Sequence, residues 1–262
     1  MIGIMGFGVV GHAVYNGFKE FENINIYDKY KDGYQTLGET VTKSDILFVC
    51  VPTLTNDQGQ DLSDICCCID AINDVAGEIT KTIVIKSTVI PGTTQAFSKQ
   101  YHRHVFMFNP EFLSARTADE DFINQKQIIL GYDVYTSHVK SVINLYKNAL
   151  SGTPIEPTTI ETAELAKYMC NCMGALKVTA ANQIEKAAEF LGADYSEVKR
   201  ICVNNGWIAD MHLDVPGHDG KYGYGGACLK KDIEAFYKWG QTNGVDLSLF
   251  ETANDINKRI RK

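Results

Sequence analysis

The chain has 262 residues, 45% of them hydrophobic and 22% charged, with a formal net charge of −7. That length supports two modest globular domains, and the acidic balance excludes a nucleic-acid groove, which shows as a basic excess on one domain. No segment approaches roughly eighteen uninterrupted apolar residues, and the opening "MIGIMGFGVVGHAVYNGF" has neither a basic lead nor a cleavage site, so a soluble, cytoplasmic protein with no membrane partner is expected.

In chain order, strands are expected at "MIGIMG", "NINIYD", "DILFVCV", "TIVIKST", "HVFMFN" and "QIILGY". Each is short, rich in β-branched or aromatic residues, and bounded by turn formers. Amphipathic segments such as "GHAVYNGFKEF" and "LSDICCCIDAINDVAG" lie between them. Strand and helix in alternation predict right-handed crossovers and an α/β fold with a parallel, doubly wound sheet of the Rossmann type. After about residue 132 the strands are expected to stop: "SHVKSVINLYKNAL" reads as a helix and "SGTPIEPT" as a short linker or edge strand.

From Thr158 a helical pattern runs for about thirty residues. Thr158 and Glu161 have the spacing of a capping box, and Gly192 is the expected stop. Such a helix spans about 45 Å, more than a small domain needs for its own core, which makes it the candidate spine of a homodimer. The expected domains are therefore 1–150, binding a dinucleotide, and 151–262, mainly helical. The terminal "NKRIRK" is the one local basic run and reads as cations on the last turn of a helix.

The eight cysteines do not read as a disulfide framework, an inference that belongs to short secreted chains. Cys66 to Cys68, and Cys170 with Cys172, fall in helical segments, where cysteine packs as a small hydrophobe. There is no CxxC pair, and His102 and His104 stand alone on an expected strand, so no metal site is expected.

Two stretches carry chemistry. "GFGVVG" supplies Gly6, Gly8 and Gly11 in GxGxxG spacing between the first strand and the first helix, and Asp28 ends the second strand 22 residues after Gly6. The glycines admit a pyrophosphate to the helix N-terminus, and an acidic side chain at that position accepts hydrogen bonds from the adenosine ribose. A carboxylate there repels a 2′-phosphate, which favours NAD over NADP. The second stretch, "KYGYGGACLKKD", sets Cys228 behind three glycines and ahead of Lys230, Lys231 and Asp232. A helix beginning just after it, with lysines close by, favours a thiolate and a nucleophilic role. Asp232, four residues on, returns to the same side, either as a reactive group or as a capping acid. Lys167 and Asn171 share that spacing on the long helix, either as a reactive pair or as a solvated stripe.

In order along nearly the whole chain, "VPT" (Val51 to Thr53) with "GQDLS", "KSTVIPGTT", "NPEFL", "AELAKYMCN" and "GYGGACLKKD" resemble the signatures of the UDP-glucose/GDP-mannose 6-dehydrogenases. The resemblance implies NAD as cofactor, held by Gly6, Gly8, Gly11, Asp28, Val51, Pro52, Thr53, Ser87, Thr88 and Lys231, and a nucleotide-sugar substrate. It implies a four-electron oxidation of the sugar C6 alcohol to the acid, UDP-glucose to UDP-glucuronate being the expected case, in the service of polysaccharide biosynthesis. Cys228 would carry a thiohemiacetal and then a thioester. Lys167 would stabilise the oxyanion, Asn171 would align the reacting oxygen, Asp232 would move protons with a bound water, and Glu111 with Thr88 would direct water at the thioester. These roles draw on both domains, so the expected site is the interdomain cleft.

Ala115 stands where such proteins carry a second glutamate, and Lys230 where they carry a proline. Relatives also continue into a third, nucleotide-binding domain, whereas this sequence ends at Lys262. Two other readings compete. A β-hydroxyacid dehydrogenase would share the layout and the lysine–asparagine pair but transfers one hydride and needs no thiol. A truncated relative would bind NAD without catalysis.

Overall fold

The computed structural model describes residues 1–261, which divide into two compact units: residues 1–54 with 60–167, and residues 55–59 with 168 onward. The first unit is built on the strands β1 (Ile2–Met5), β2 (Ile24–Tyr27) and β3 (Ile46–Val49), with the helices α1 (Val9–Phe18) and α2 (Leu37–Lys43) between them. The two-residue strands β4 (Thr55–Asn56) and β5 (Gly59–Gln60) pair as a small ribbon. Then follow α3 (Ser63–Ala76), β6 (Thr82–Ile85), α4 (Thr93–Gln100), β7 (Val105–Phe108), α5 (Ala118–Ile123), β8 (Ile128–Gly131), α6 (Ser137–Ala149) and β9 (Ile155–Thr158). The long helix α7 (Ile160–Leu191) precedes α8 (Tyr195–Asn204), α9 (Leu229–Asn243) and α10 (Ser248–Ile260).

The main sheet has the order β2-β1-β3-β6-β7-β8-β9, and the pairings from β2 through β7 are all parallel. Side chains alternate between two apolar layers. Ile2, Ile4, Phe48, Val84 and Met107 face α1, α5 and α6, while Met5, Leu47, Val49, Ile83, Ile85 and Phe108 face α3 and α4. Burial on both faces is why these strands are nearly continuous runs of Ile, Val, Leu and Phe.

All six expected strands form, and four details differ from the sequence reading. The sheet is not wholly parallel: β8 runs antiparallel to β7, meeting it at Phe108 and Gly131. The six-residue α5 packs on α1 instead of crossing over to a neighbouring strand, so the chain re-enters the sheet from the opposite end. A seventh strand, β9, lies after residue 132, on the edge beside β8, which places "SGTPIEPT" as an edge strand. The cap of α7 is Thr159, whose hydroxyl accepts the Thr162 N–H at 3.2 Å. Thr158 is unavailable because it still belongs to β9, where its carbonyl accepts the Tyr132 N–H. His102 and His104 precede β7, and His104 is buried with Nδ1 accepting the Lys81 N–H at 3.2 Å. Gly192 does end α7, in the left-handed conformation at φ +67°.

The second unit is helical. Tyr168 of α7 stacks on Phe236 of α9 at 5.2 Å, the Trp239 ring lies nearly parallel to Phe236 at 5.9 Å, and Phe250 of α10 meets it edge-on. None of the eight cysteines is in a disulfide, and among the described residues no helix is long and apolar enough to cross a membrane.

Two glycines give a paired test of this packing. A Cβ at Gly17 would sit 2.1 Å from the Phe122 ring, whereas one at Gly38 would meet nothing within 4 Å. Gly38→Ala should raise stability by about 0.5–1 kcal/mol through helix propensity. Gly17→Ala should lower it by about 1–3 kcal/mol through overpacking, both read from urea unfolding midpoints. Equal stabilisation by both would refute the α1–α5 contact.

Candidate active site

Parallel strands deliver their exits to one edge of the sheet, and the glycine-rich turn is the first of these. Gly6, at φ +93°, turns the chain out of β1, where a Cβ would lie 2.8 Å from the Cys50 carbonyl oxygen. At Gly11 a Cβ would lie 2.1 Å from the Gly6 carbonyl oxygen, so α1 can approach the turn only with glycine there. Gly8 is the N-cap of α1, and a Cβ on it would meet no atom within 4 Å, leaving the helix N-terminus open to an anion. Asp28, beyond β2, accepts the Phe7 N–H on one carboxylate oxygen at 2.7 Å and the Tyr30 N–H on the other at 2.9 Å. Its remaining lone pairs are free to accept from a diol. The arrangement fits a dinucleotide.

The exits of β3 and β6 are tied together. The buried Thr53 hydroxyl donates to the Thr88 carbonyl at 2.7 Å, Gln60 donates to the same oxygen at 2.8 Å, and the Ser87 hydroxyl donates to the Val51 carbonyl at 2.6 Å. Val51, Thr53, Ser87 and Thr88 thus form one cluster, with Pro52 exposed between its neighbours.

Beyond β7 lies a buried polar network. The Asn109 side-chain oxygen accepts Lys86 Nζ at 2.6 Å and the Tyr146 hydroxyl at 2.5 Å, and its amide donates to the Ile129 carbonyl at 2.7 Å. Two residues on, Glu111 receives Lys167 Nζ on its carboxylate at 3.1 Å and again on its backbone carbonyl, while its other carboxylate oxygen accepts the Leu113 N–H at 2.8 Å. Lys167 is 4% exposed, and its ammonium lies 5.3 Å from the Phe112 ring centroid. Glu164, one turn earlier in α7, is fully buried and caps α4 by accepting the Gly92 and Thr94 N–H groups at 2.6 and 2.9 Å. Burial pushes its carboxyl up from the usual range.

In the second unit, Cys228 is exposed at the N-cap position of α9, where the thiol stands at the positive end of the helix. Asp232, one turn on, is 1% exposed; its N–H donates to the Cys228 carbonyl at 2.9 Å. Its carboxylate receives Asn171 Nδ2 and Lys231 Nζ, both at 2.5 Å. Lys231 is thus an ion-pair partner of Asp232, and its carbonyl accepts the Thr55 hydroxyl at 3.0 Å. Cys172 is buried, which pushes its thiol well up, with the Asp232 charge adding to the effect.

Residues 27–150 match the NAD binding domain of the UDP-glucose/GDP-mannose dehydrogenase family, and residues 161–259 match its central domain. The chain belongs to the UDP-glucose/GDP-mannose dehydrogenase family. NAD is accordingly its cofactor, and the open helix end at Gly8 fits it. A UDP-glucose 6-dehydrogenase of Rhizobium meliloti is 31% identical over 236 residues, covering 86% of this chain and 53% of the relative. A GDP-mannose 6-dehydrogenase of Pseudomonas aeruginosa is 32% identical over 218 residues, covering 78% of this chain and 48% of that protein. The chain thus spans about half the length of these curated family members. The solved UDP-glucose dehydrogenase of Pyrobaculum islandicum shares the fold, with a TM-score of 0.88 at 24% identity over 98% of this chain and 68% of that one.

Sequence reasoning passed over Lys86, Asn109, Tyr146, Gln60 and Glu164. Lys86, Asn109, Gln60 and Glu164 sit inside the quoted motifs, but nothing in residue type announces which partner a buried polar group will find.

Lys86 gives a pH test. Burial lowers its pKa from the usual 10.5 to about 8. Between those values the unfolded chain holds more protons than the folded one, so the stability contributed at Lys86 rises with pH. The wild type should gain on Lys86→Met by up to about 1.4 kcal/mol per pH unit from pH 8 to 10.5, with a level difference below pH 8. A difference independent of pH across that window would refute the buried lysine's depressed pKa.

Proposed function

We propose that this chain catalyses the NAD-dependent oxidation of the C6 alcohol of a nucleotide sugar to the uronic acid, with UDP-glucose as substrate. The observation that carries the reading is Cys228 at the N-cap of α9, one turn before a buried aspartate bonded to Asn171 and Lys231. A two-electron β-hydroxyacid dehydrogenase has no use for that thiol.

The residues divide the work as follows. NAD, when bound, accepts a hydride from C6 at each oxidation. Asp232, through a bound water, takes the alcohol proton, while Asn171 aligns the reacting oxygen and the Lys167 ammonium stabilises its negative charge. Cys228 Sγ then adds to the aldehyde carbon. A C–S bond forms, and the former carbonyl oxygen gains a proton, giving a thiohemiacetal whose hydroxyl proton leaves as the second hydride departs. The product is a thioester on Cys228. Glu111 and Thr88 direct water at its carbonyl carbon, the C–S bond breaks, and the thiol and the free acid are released.

A non-catalytic NAD-binding relative is the second reading, favoured by Ala115 at the place of the family's second glutamate. We further infer a homodimer through α7. Met169, Met173, Ile184 and Leu191 are exposed at spacings of four, eleven and seven, which keeps them on one helix face.

With UDP-glucose limiting, the wild type should form two NADH per sugar, and Cys228→Ser should lose at least about 10³-fold in uronate formation. One NADH per sugar would remove the thioester route, and none, with NAD still bound, would remove UDP-glucose as substrate. Met173→Glu should convert the dimer to monomer in sedimentation velocity; an unchanged sedimentation coefficient would place the interface elsewhere or nowhere.

A further inference from the structure

The loop that leads into Cys228, from Lys221 to Gly226, is held by side chains of two helices. From α7, the buried Asn182 accepts the Gly223 N–H at 3.0 Å. From α10, Asn257 brackets Tyr224: its side-chain oxygen accepts the Tyr224 N–H at 2.8 Å, and its amide donates to the Tyr224 carbonyl at 3.0 Å. Asn257 is 3% exposed, and an amide is buried at such a position without loss only when both its ends are bonded.

Arg261, just beyond α10, closes the other end. Its guanidinium donates to both carboxylate oxygens of Asp219, to the Gly223 carbonyl at 3.1 Å and to the Tyr222 carbonyl at 3.4 Å. The arginine hydrogen bonds, with that from the Lys221 N–H, pull the Asp219 carboxyl down to about 2. The glycines of the loop are what admit these side chains. A Cβ at Gly223, which sits at φ +71°, would lie 2.4 Å from Asn257 Oδ1, and one at Gly225 would lie 2.1 Å from Arg261 Nη2. The terminal basic run therefore does more than complement the end of a helix: one member, Arg261, folds back onto the loop.

We propose that Asn257 and Arg261 are positioning residues for the Cys228 nucleophile, holding the loop Lys221–Gly226 so that the thiol stays at the N-terminus of α9. The proposal rests on the reading of Cys228 given above. Neither residue touches the reacting atoms; both act through the loop backbone.

The test uses the full chain and two readouts: hydrogen exchange of residues 221–228, and the rate of iodoacetamide alkylation at Cys228. Trypsin releases Cys228 in the peptide from Tyr222 to Lys230, which contains no other cysteine. In Asn257→Ala and Arg261→Ala, loop protection should fall about tenfold or more, and Cys228 alkylation at neutral pH should slow about fivefold or more. Exposed Cys67 and Cys202 should stay within about twofold of the wild type. Arg261→Lys, which keeps the charge opposite Asp219 but not the fork across two carbonyls, should fall between. Continued slow alkylation of buried Cys68 and Cys172 shows that a variant is folded; where it is not, Arg261→Lys and Asp219→Asn decide in its place. A loop that exchanges faster while Cys228 alkylates at the wild-type rate or above overturns the positioning role, as does a loop unchanged in every variant. A wild-type Cys228 no faster than Cys67 overturns the nucleophile reading itself, a result separate from either.

Discussion

Parallel pairing is the constraint on which the first unit depends. Because β2, β1, β3, β6 and β7 run the same way, every one of them must release the chain at the same edge of the sheet. The strand residues themselves are mostly apolar and buried between the two helical layers. The candidate site residues of this unit accordingly lie at the exits: Gly6 after β1, Asp28 after β2, Val51 to Thr53 after β3, Ser87 and Thr88 after β6, Glu111 after β7. Residues scattered through a hundred positions of sequence become neighbours by this rule alone, without any motif joining them.

The exits must also satisfy the backbone and side-chain polar groups that the sheet no longer pairs. Asn109 does this with three bonds, to Lys86, Tyr146 and the Ile129 carbonyl, and so links β6, β7, β8 and α6 at one point. The Thr88 carbonyl is fixed from two directions by Thr53 and Gln60. In the second unit the buried Asp232 carboxylate plays the same part between Asn171 and Lys231. Such fully satisfied networks hold a side chain in one orientation, which is the requirement for groups that must act on a particular atom.

The strands were legible in the sequence because burial on two sides leaves a plain apolar signature in "ILFV" and "TIVI". The long helix was legible from its period and from Gly192. Its first residue was not, since Thr158 and Thr159 are chemically identical candidates and only the pairing of Thr158 across to Gly131 decides between them. The reversal of β8 depends on where a six-residue helix finds its packing partner, a tertiary matter with no local signal. Among the candidate groups, Cys228 was marked by its residue type and its glycine-rich loop, Asp232, Asn171 and Lys167 by a spacing that equally fits a capping acid or a solvated stripe, and Glu111 by the family resemblance alone; the Asn171–Asp232 and Lys167–Glu111 bonds had no signal. Asn182 and Asn257 were invisible, because a polar residue on a helix reads as solvated until a loop from dozens of residues away arrives to bury it.

The aromatic stacking of the second unit has a practical corollary. The chain's two tryptophans, Trp207 and Trp239, both belong to that unit, one 91% exposed and the other stacked parallel to Phe236. Indole emission is accordingly blind to the sheet, whose aromatic content is phenylalanine and tyrosine. A melt followed by that emission records the helical unit alone, and overlaying it on far-ultraviolet dichroism separates the loss of one unit from the loss of the other.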